Sequence, residues 1–325
     1  MRRRGLIAVL GGAAAWPLLG HAQQPERRRI GALYFFAKND ASSQAFVTAF
    51  TQALGSLGWR EGENIRIDAR FAAGDAALFK QYAAELVGLA PDAILASTGP
   101  AAFAVREQTR TIPIVFVVVP DPVTLGLVQS VAHPGGNITG FASYDASIVG
   151  KWLQLLKDAV PSVTRVAIIF NPETGFRLPL DREIAAARSF GVTATLTPVQ
   201  DDAAIEEVIV AQAREPGGGL ICLPDSFNVA YREVIIAAAD RHRLPLISFD
   251  RIARAGGLMS YWFNSVELHA EAASYIDRIL KGANPADLPV QYPTKYSLII
   301  NLKTAKTLGL TIPPAVLDLA NEVIE

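Results

Sequence analysis

The stretch that decides the fold reads Ile94-Leu95-Ala96-Ser97-Thr98-Gly99-Pro100-Ala101-Ala102. An apolar run ends in small polar residues and an alanine-rich segment follows, which predicts a buried parallel strand, a tight turn and the start of a helix. Ligands bind at the carboxyl edge of open α/β sheets, and a helix N-terminus attracts anions. We therefore expect this turn to face a binding cleft.

The rest of the chain repeats this alternation of strand and helix on both sides of a glycine-rich turn at 135–141. The strands are mostly continuously apolar, which is typical of parallel sheets covered by helices on both faces. Strands are predicted at 29–36, 64–72, 114–119, 165–170, 193–198, 217–223, 246–249, 256–261 and 296–301, with helices between most of them. This pattern predicts an α/β protein with two doubly wound parallel-sheet lobes joined by multiple crossovers.

The 325 residues are enough for two lobes, each with its own core. We assign 28–142 plus 262–288 to lobe 1, and 143–261 plus 289–325 to lobe 2. A chain that crosses between lobes more than once closes by hinge bending. The formal net charge of −1 argues against a general nucleic-acid binder, so we expect no nucleic acid among the partners.

The N-terminus has the pattern of an export signal. Arg2-Arg3-Arg4 precedes an apolar core from Leu6 to Leu19, and small residues end at Ala22. We predict that residues 1–22 are a cleaved signal peptide and that the protein is periplasmic, by the Sec or the twin-arginine route. No later segment is apolar enough to span a membrane, and the lone Cys222 cannot form an intramolecular disulfide.

Short motifs along the mature chain resemble the ABC transporter substrate-binding proteins of the tryptophan/tyrosine-binding type, which have the type I periplasmic-binding-protein fold. The motifs are Ser97-Thr98-Gly99-Pro100, Ile112-Pro113-Ile114-Val115-Phe116, Asp121-Pro122-Val123, Pro134-Gly135-Gly136-Asn137-Ile138-Thr139-Gly140, Asn171-Pro172, Ala255-Gly256-Gly257-Leu258-Met259-Ser260-Tyr261, Pro293-Thr294-Lys295-Tyr296 and Asn301-Leu302-Lys303-Thr304-Ala305-Lys306. The resemblance implies a receptor that delivers a small-molecule solute to an inner-membrane permease with its ATPase. In better-known relatives the ligand is an aromatic amino acid, but Trp262-Phe263 replaces the usual Gly-Pro here.

Candidate ligand-binding residues follow the predicted strands of both lobes. Ser97, Thr98 and Gly99 have hydroxyls and backbone N–H groups for a carboxylate, or else cap a helix. Asp225, with Ser226 in the same turn, is a candidate for the ammonium group, and helix capping is the alternative.

Four further residues are candidates for ligand contact, and each has a structural role as the alternative. Asp121 lies between two prolines, which favours a turn, and Asn171 has an amide that both donates and accepts. Phe36 and Tyr261 lie at predicted strand ends, where aromatic rings can line a cleft or simply pack.

The remaining motifs give no sign of catalysis or of a bound cofactor. We find no nucleotide, zinc or serine-hydrolase motif, and His133, His242 and His269 have no metal-ligand spacing, so we interpret them as surface or structural residues. We predict a monomeric solute-binding protein of an ABC importer, not an enzyme, without metal or cofactor, for a small carboxylate-bearing solute, an aromatic amino acid favoured. An exported sensory receptor or an enzyme that uses the same cleft stays open as an alternative.

Overall fold

The computed structural model describes residues 27–173, 180–249 and 251–325, so the predicted signal peptide at 1–22 lies outside the described residues. Within them the chain forms two sheets covered by helices. We call each sheet, with the helices packed on it, the first and the second lobe.

The first lobe is built on a five-stranded parallel sheet with the order β2-β1-β3-β4-β5. Its strands are β1 (Arg28–Tyr34), β2 (Ile65–Phe71), β3 (Ala93–Ser97), β4 (Ile114–Val119) and β5 (Ile138–Ala142). Every residue of β3 is buried, which the continuously apolar pattern predicted. The sheet is covered by α1 (Ala41–Ser56), α2 (Ala76–Gly88), α3 (Gly99–Gln108) and, from much later in the chain, α9 (Ser265–Leu280), which packs on α1.

The second lobe has a seven-stranded sheet with the order β12-β11-β10-β9-β8-β6-β7. Its strands are β6 (Arg165–Phe170), β7 (Thr193–Pro198), β8 (Gly218–Cys222), β9 (Leu246–Ser248), β10 (Met259–Trp262), β11 (Ser297–Asn301) and β12 (Glu322–Ile324). Strand β11 runs antiparallel to β10, whereas the other pairs are parallel. The helices are α4 (Ser147–Ala159), α5 (Asp181–Ala187), α6 (Asp202–Ala213), α7 (Ser226–Ala230), α8 (Arg232–Arg241), α10 (Leu302–Thr307) and α11 (Pro314–Leu317).

Within the described residues, three segments connect the lobes: β5 to α4, β10 to α9, and α9 to β11. Aromatic side chains fill the space beside the first two connections. The ring of Trp262 lies 5.0 Å from that of Tyr144 and 5.9 Å from that of Trp152, and Trp152 donates its indole N–H to the Tyr261 carbonyl at 2.9 Å. The connections are therefore packed against the second lobe.

The sequence predicted two mostly parallel α/β sheets joined by crossovers, and this fold class is confirmed. The last strand, β12, was not predicted. It is three residues long, and Arg254 on the second lobe pairs with its Glu322. Among the described residues, no helix has both the length and the apolar character that a bilayer span requires.

Candidate functional site

A cavity of about 340 Å³ lies between the carboxyl ends of the two sheets. Its wall combines aromatic rings, hydroxyls and charged groups from both lobes. The first lobe contributes Phe35, Phe36, Phe46, Ser97, Thr98, Gly99, Phe103, Val118 and His269, and the second contributes Asp225, Arg232, Phe249, Arg251 and Trp262. We call this space the interlobe cavity.

The turn after β3 brings Thr98 into the wall in a strained conformation. Its φ of 90° and ψ of 164° fall in a region that is almost restricted to glycine. The backbone is held there because the Thr98 N–H donates to the Val117 carbonyl at 2.8 Å, while the Thr98 carbonyl accepts from Ala102 at 3.0 Å. The Thr98 side chain does not cap α3, and its Oγ1 is buried without a hydrogen-bond partner among the described residues. Thr98 therefore places a buried hydroxyl, without a partner among the described residues, beside the cavity.

Ser97, the last residue of β3, is bound to a buried histidine on α9. The Ser97 Oγ lies 2.9 Å from His269 Nε2, and His269 Nδ1 lies 2.7 Å from the carbonyl oxygen of Ser265. His269 is fully buried, and this burial lowers its pKa from 6.5 to about 4, although the backbone contact raises it slightly. The imidazole is therefore neutral at physiological pH.

Aromatic rings form a continuous wall on the first-lobe side. The Phe36 ring lies 5.1 Å from that of Phe35 and 6.4 Å from that of Phe46, and the Phe46 ring stacks on the imidazole of His269 at 4.0 Å. Trp262 of the second lobe also lines the cavity. Rings in this arrangement offer flat apolar faces to an aromatic or aliphatic group.

Asp225 joins the cavity wall and also organises the turn behind it. Its carboxylate accepts from the Asn171 N–H at 2.9 Å, the Asn228 N–H at 2.8 Å and the Asn228 side-chain amide at 3.0 Å. Asp225 is therefore the cap of α7, the structural role that the sequence left open for it. It is only 3% exposed, so a ligand reaches only the edge of this carboxylate.

Two arginines of the second lobe line the interlobe cavity and were not predicted. Arg232 begins α8 and donates to the Val229 carbonyl at 3.0 Å. Arg251 follows β9 and has a positive φ of 69°. Its place shortly after β9 is the sequence signal by which Arg251 could have been found. Guanidinium groups at a cavity wall favour a carboxylate-bearing ligand.

A sequence profile of the family described as ABC transporter substrate binding protein matches residues 32–324. The chain belongs to this family. Its members are substrate-binding proteins rather than enzymes, and the family implies a small-molecule ligand and a membrane permease as partners. A doubly wound, two-lobed fold with a cavity between the lobes agrees with that assignment.

Relatives of this substrate-binding protein are found among curated proteins and solved structures. The tyrosine-binding protein of Clostridioides difficile is 26% identical over 264 residues, which cover 80% of this chain and 75% of that protein. A conserved domain protein from Vibrio cholerae superposes with a TM-score of 0.80 at 27% identity, covering 92% of this chain and all of the other. An ABC domain from Streptococcus pneumonia, solved in complex with L-Trp, gives a TM-score of 0.82 at 23% identity over 92% of this chain and 100% of that one.

Five of the ligand contacts predicted from the sequence meet in the cavity wall of this substrate-binding protein: Phe36, Ser97, Thr98, Gly99 and Asp225. Ser226 begins α7, and its side chain lies outside the described residues.

Three other predicted contacts lie elsewhere. Asn171 is buried behind Asp225, and Asp121 accepts from the Thr124 N–H at 3.1 Å in a turn beyond β4. The ring of Tyr261 stacks on that of Tyr296 at 5.3 Å and lines a separate hollow of about 250 Å³ at the connections. Ligand contact stays a prediction for these three residues, as it does for the other six candidates.

Among the wall residues that were not predicted from the sequence are His269, Phe46 and the two arginines. His269 lies 172 residues from Ser97 in the chain, so only the packing of α9 onto the first lobe brings the two together. A single histidine on a helix gives no sequence signal of that contact.

Proposed function

We propose that this protein is an exported receptor of an ABC importer that captures a small amino acid solute, preferably an aromatic one, in the interlobe cavity. The observation that carries the proposal is the composition of the cavity wall, where aromatic rings stand beside two guanidinium groups and a hydroxyl that has no partner in the described part of the chain. The names of the relatives, a tyrosine-binding protein and a domain bound to L-Trp, support the aromatic preference.

The carboxylate end of the solute binds at the turn after β3. Thr98 Oγ1 donates to a carboxylate oxygen, and the backbone N–H of Gly99 at the start of α3 adds a second donor and the favourable end of the helix dipole. Arg232 and Arg251 approach from the second lobe and add positive charge. Groups of both lobes thus bind the carboxylate of the solute. This shared contact favours the closed arrangement of the lobes when the solute is present.

The rest of the solute fits the aromatic part of the wall. Phe36, Phe46 and Trp262 provide ring faces for stacking. The cavity volume of about 340 Å³ lies at the lower end of the roughly 300–1,000 Å³ of small-molecule sites. A solute of amino acid size therefore fills the cavity better than a peptide does. Asp225 is the candidate on the second lobe for the ammonium group, through the part of its carboxylate that reaches the wall.

The mechanism is capture by closure and release at the permease, with no bond made or broken. Three connections between the lobes permit bending and oppose free rotation. The solute stabilises the closed state only to the extent that it binds that state more tightly than the open one. The export signal that the sequence predicts at residues 1–22 supports a periplasmic location for this cycle.

A thermal-shift screen of amino acids and small carboxylic acids tests the proposal, because a solute that binds only the native state raises the melting temperature. We expect L-tryptophan, L-tyrosine or L-phenylalanine to give the largest shifts. The bound solute is then recovered and identified by mass spectrometry, and it must return unchanged. If no amino acid shifts the melting temperature while sugars or nucleosides do, the proposed ligand class is wrong.

Thr98→Ala tests the carboxylate site directly. Loss of a hydrogen bond to a charged group costs about 1.5–3 kcal/mol, which corresponds to roughly 10–150-fold weaker binding of the best amino acid. Thr111→Ala is the matched control, since Thr111 is exposed and does not line the interlobe cavity. Unchanged affinity in Thr98→Ala would remove Thr98 from the site.

A further inference from the structure

The hydrogen bonds of His269 fix the direction in which the Ser97 hydroxyl donates. The carbonyl oxygen of Ser265 can only accept, so the nitrogen 2.7 Å from it, Nδ1, carries the proton. The other nitrogen, Nε2, is then an acceptor in the neutral ring, and it lies 2.9 Å from Ser97 Oγ. The Ser97 hydroxyl therefore donates its single proton to His269 and has only lone pairs left for another partner.

The imidazole is held in this orientation by its surroundings. The Phe46 ring stacks on it at 4.0 Å with an interplanar angle of 5°, and the Tyr34 ring lies 6.4 Å away with an angle of 23°. The ring is fully buried, and burial lowers the pKa of His269 to about 4. The proton arrangement therefore persists at neutral pH.

We propose that His269 is a positioning residue that makes Ser97 a hydrogen-bond acceptor toward the interlobe cavity, so that Ser97 selects an N–H donor of the solute and opposes its carboxylate. The inference rests on the proposed function and assigns the polarity of one part of that site. Thr98, the next residue, has a hydroxyl that finds no partner within 27–173, 180–249 and 251–325 and that can donate.

The two neighbouring residues thus present an acceptor and a donor side by side. An α-amino acid carries its ammonium and its carboxylate on one carbon, so one molecule can satisfy both residues at once. An ammonium has three N–H donors, and contact with Ser97 leaves two of them for the second lobe. A carboxylic acid that lacks the amine leaves the Ser97 lone pairs without a partner, and such a desolvated group is costly.

The test compares amino acids with their desamino analogues by calorimetry: L-tryptophan with indole-3-propionate, and L-phenylalanine with 3-phenylpropionate. The wild-type protein is expected to prefer the amino acid by about 10–100-fold, the range of a hydrogen bond to a charged group. In His269→Phe the Ser97 hydroxyl is free to turn its proton into the cavity, so the desamino acid gains affinity and the preference falls about tenfold.

Ser97→Ala is a second variant that leaves the buried histidine in place. It is expected to weaken the amino acids and to strengthen the desamino acids, because the unpaired Ser97 lone pairs are removed. A general loss of structure would weaken both. His133→Phe is the matched control, because His133 is exposed and does not line the cavity. A preference that stays the same in both His269→Phe and Ser97→Ala overturns the proposal.

A ligand-free measurement separates this inference from the proposed function. Long-range ¹H–¹⁵N correlation spectra of the histidine side chains report the tautomer, and His269 is expected to be neutral with its proton on Nδ1. Finding the proton on Nε2 overturns the proposal whatever the protein binds. If the Nδ1–H tautomer is found but no amino acid or desamino acid binds, the polarity of Ser97 stands and the proposed ligand class fails.

Discussion

The buried His269 makes a quantitative prediction about stability and pH. Its pKa is lowered from 6.5 to about 4 by burial, whereas the unfolded chain has the ordinary value of about 6.5. Between these two pH values the unfolded state binds a proton that the native state does not. The free energy of unfolding therefore falls as the pH falls from about 6.5 toward 4, and this contribution is fully present only above the unfolded-state pKa.

The expected size follows from the two pKa values. At one proton and about 1.36 kcal/mol for each pKa unit, the whole effect is about 3 kcal/mol. Between pH 7.5 and pH 5.0 it amounts to about 2 kcal/mol, which is a large part of the stability of an ordinary domain. Below pH 4 both states are protonated, and the contribution of His269 no longer changes.

Urea unfolding followed by circular dichroism measures this effect at pH 7.5, 6.0 and 5.0. Other groups titrate over the same range, so the informative quantity is the difference between wild type and His269→Phe, a substitution that keeps an aromatic ring beside Phe46. We expect this difference to change by about 2 kcal/mol across the range, and His133→Phe to follow the wild type. Parallel curves for wild type and His269→Phe would refute the buried, neutral state of His269.

Three other substitutions or treatments test the packing. Gly140→Ala places a Cβ 2.1 Å from the Phe116 carbonyl oxygen in the neighbouring strand, so urea unfolding should report a loss of about 3 kcal/mol; a neutral result would contradict the β4–β5 register. Cys222 is fully buried, and burial raises the pKa of its thiol, so Ellman's reagent should react only after denaturant is added. Arg254→Ala breaks a partly exposed ion pair with Glu322, and urea unfolding should show a cost below about 1 kcal/mol.

Local patterns were enough to predict the two sheets, because strands such as β3, β4 and β6 are apolar over nearly their whole length. The turn at Ser97–Gly99 was also predictable from a local pattern, because small polar residues directly follow a buried strand there. In contrast, β12 has three residues and its burial is only partial, so its sequence carries no strand pattern. The antiparallel direction of β11 is set by the connection from α9, which no local pattern encodes.

The site was predictable only where it follows a strand. Five predicted contacts lie in the cavity wall, yet the wall also contains His269, which lies on a helix from the distant end of the chain. Asp225 shows a different difficulty. Its carboxylate caps α7 and also lines the interlobe cavity, so the two roles are not alternatives. Sequence reasoning could state both roles for Asp225 but had no means to see that they coexist.

Backbone strain gives an independent reason to place function in the interlobe cavity. Of the seven non-glycine residues with positive φ in the described parts of the chain, Thr98, Val118 and Arg251 line this cavity. Such conformations cost about 1–3 kcal/mol each, and glycine would adopt them without that cost. Val118 is the clearest case, because it is β-branched and lies at an irregularity of the β4–β5 pairing. Glycine would relieve this strain at all three positions, so we infer that the hydroxyl, the branched apolar side chain and the guanidinium have a role in the cavity wall.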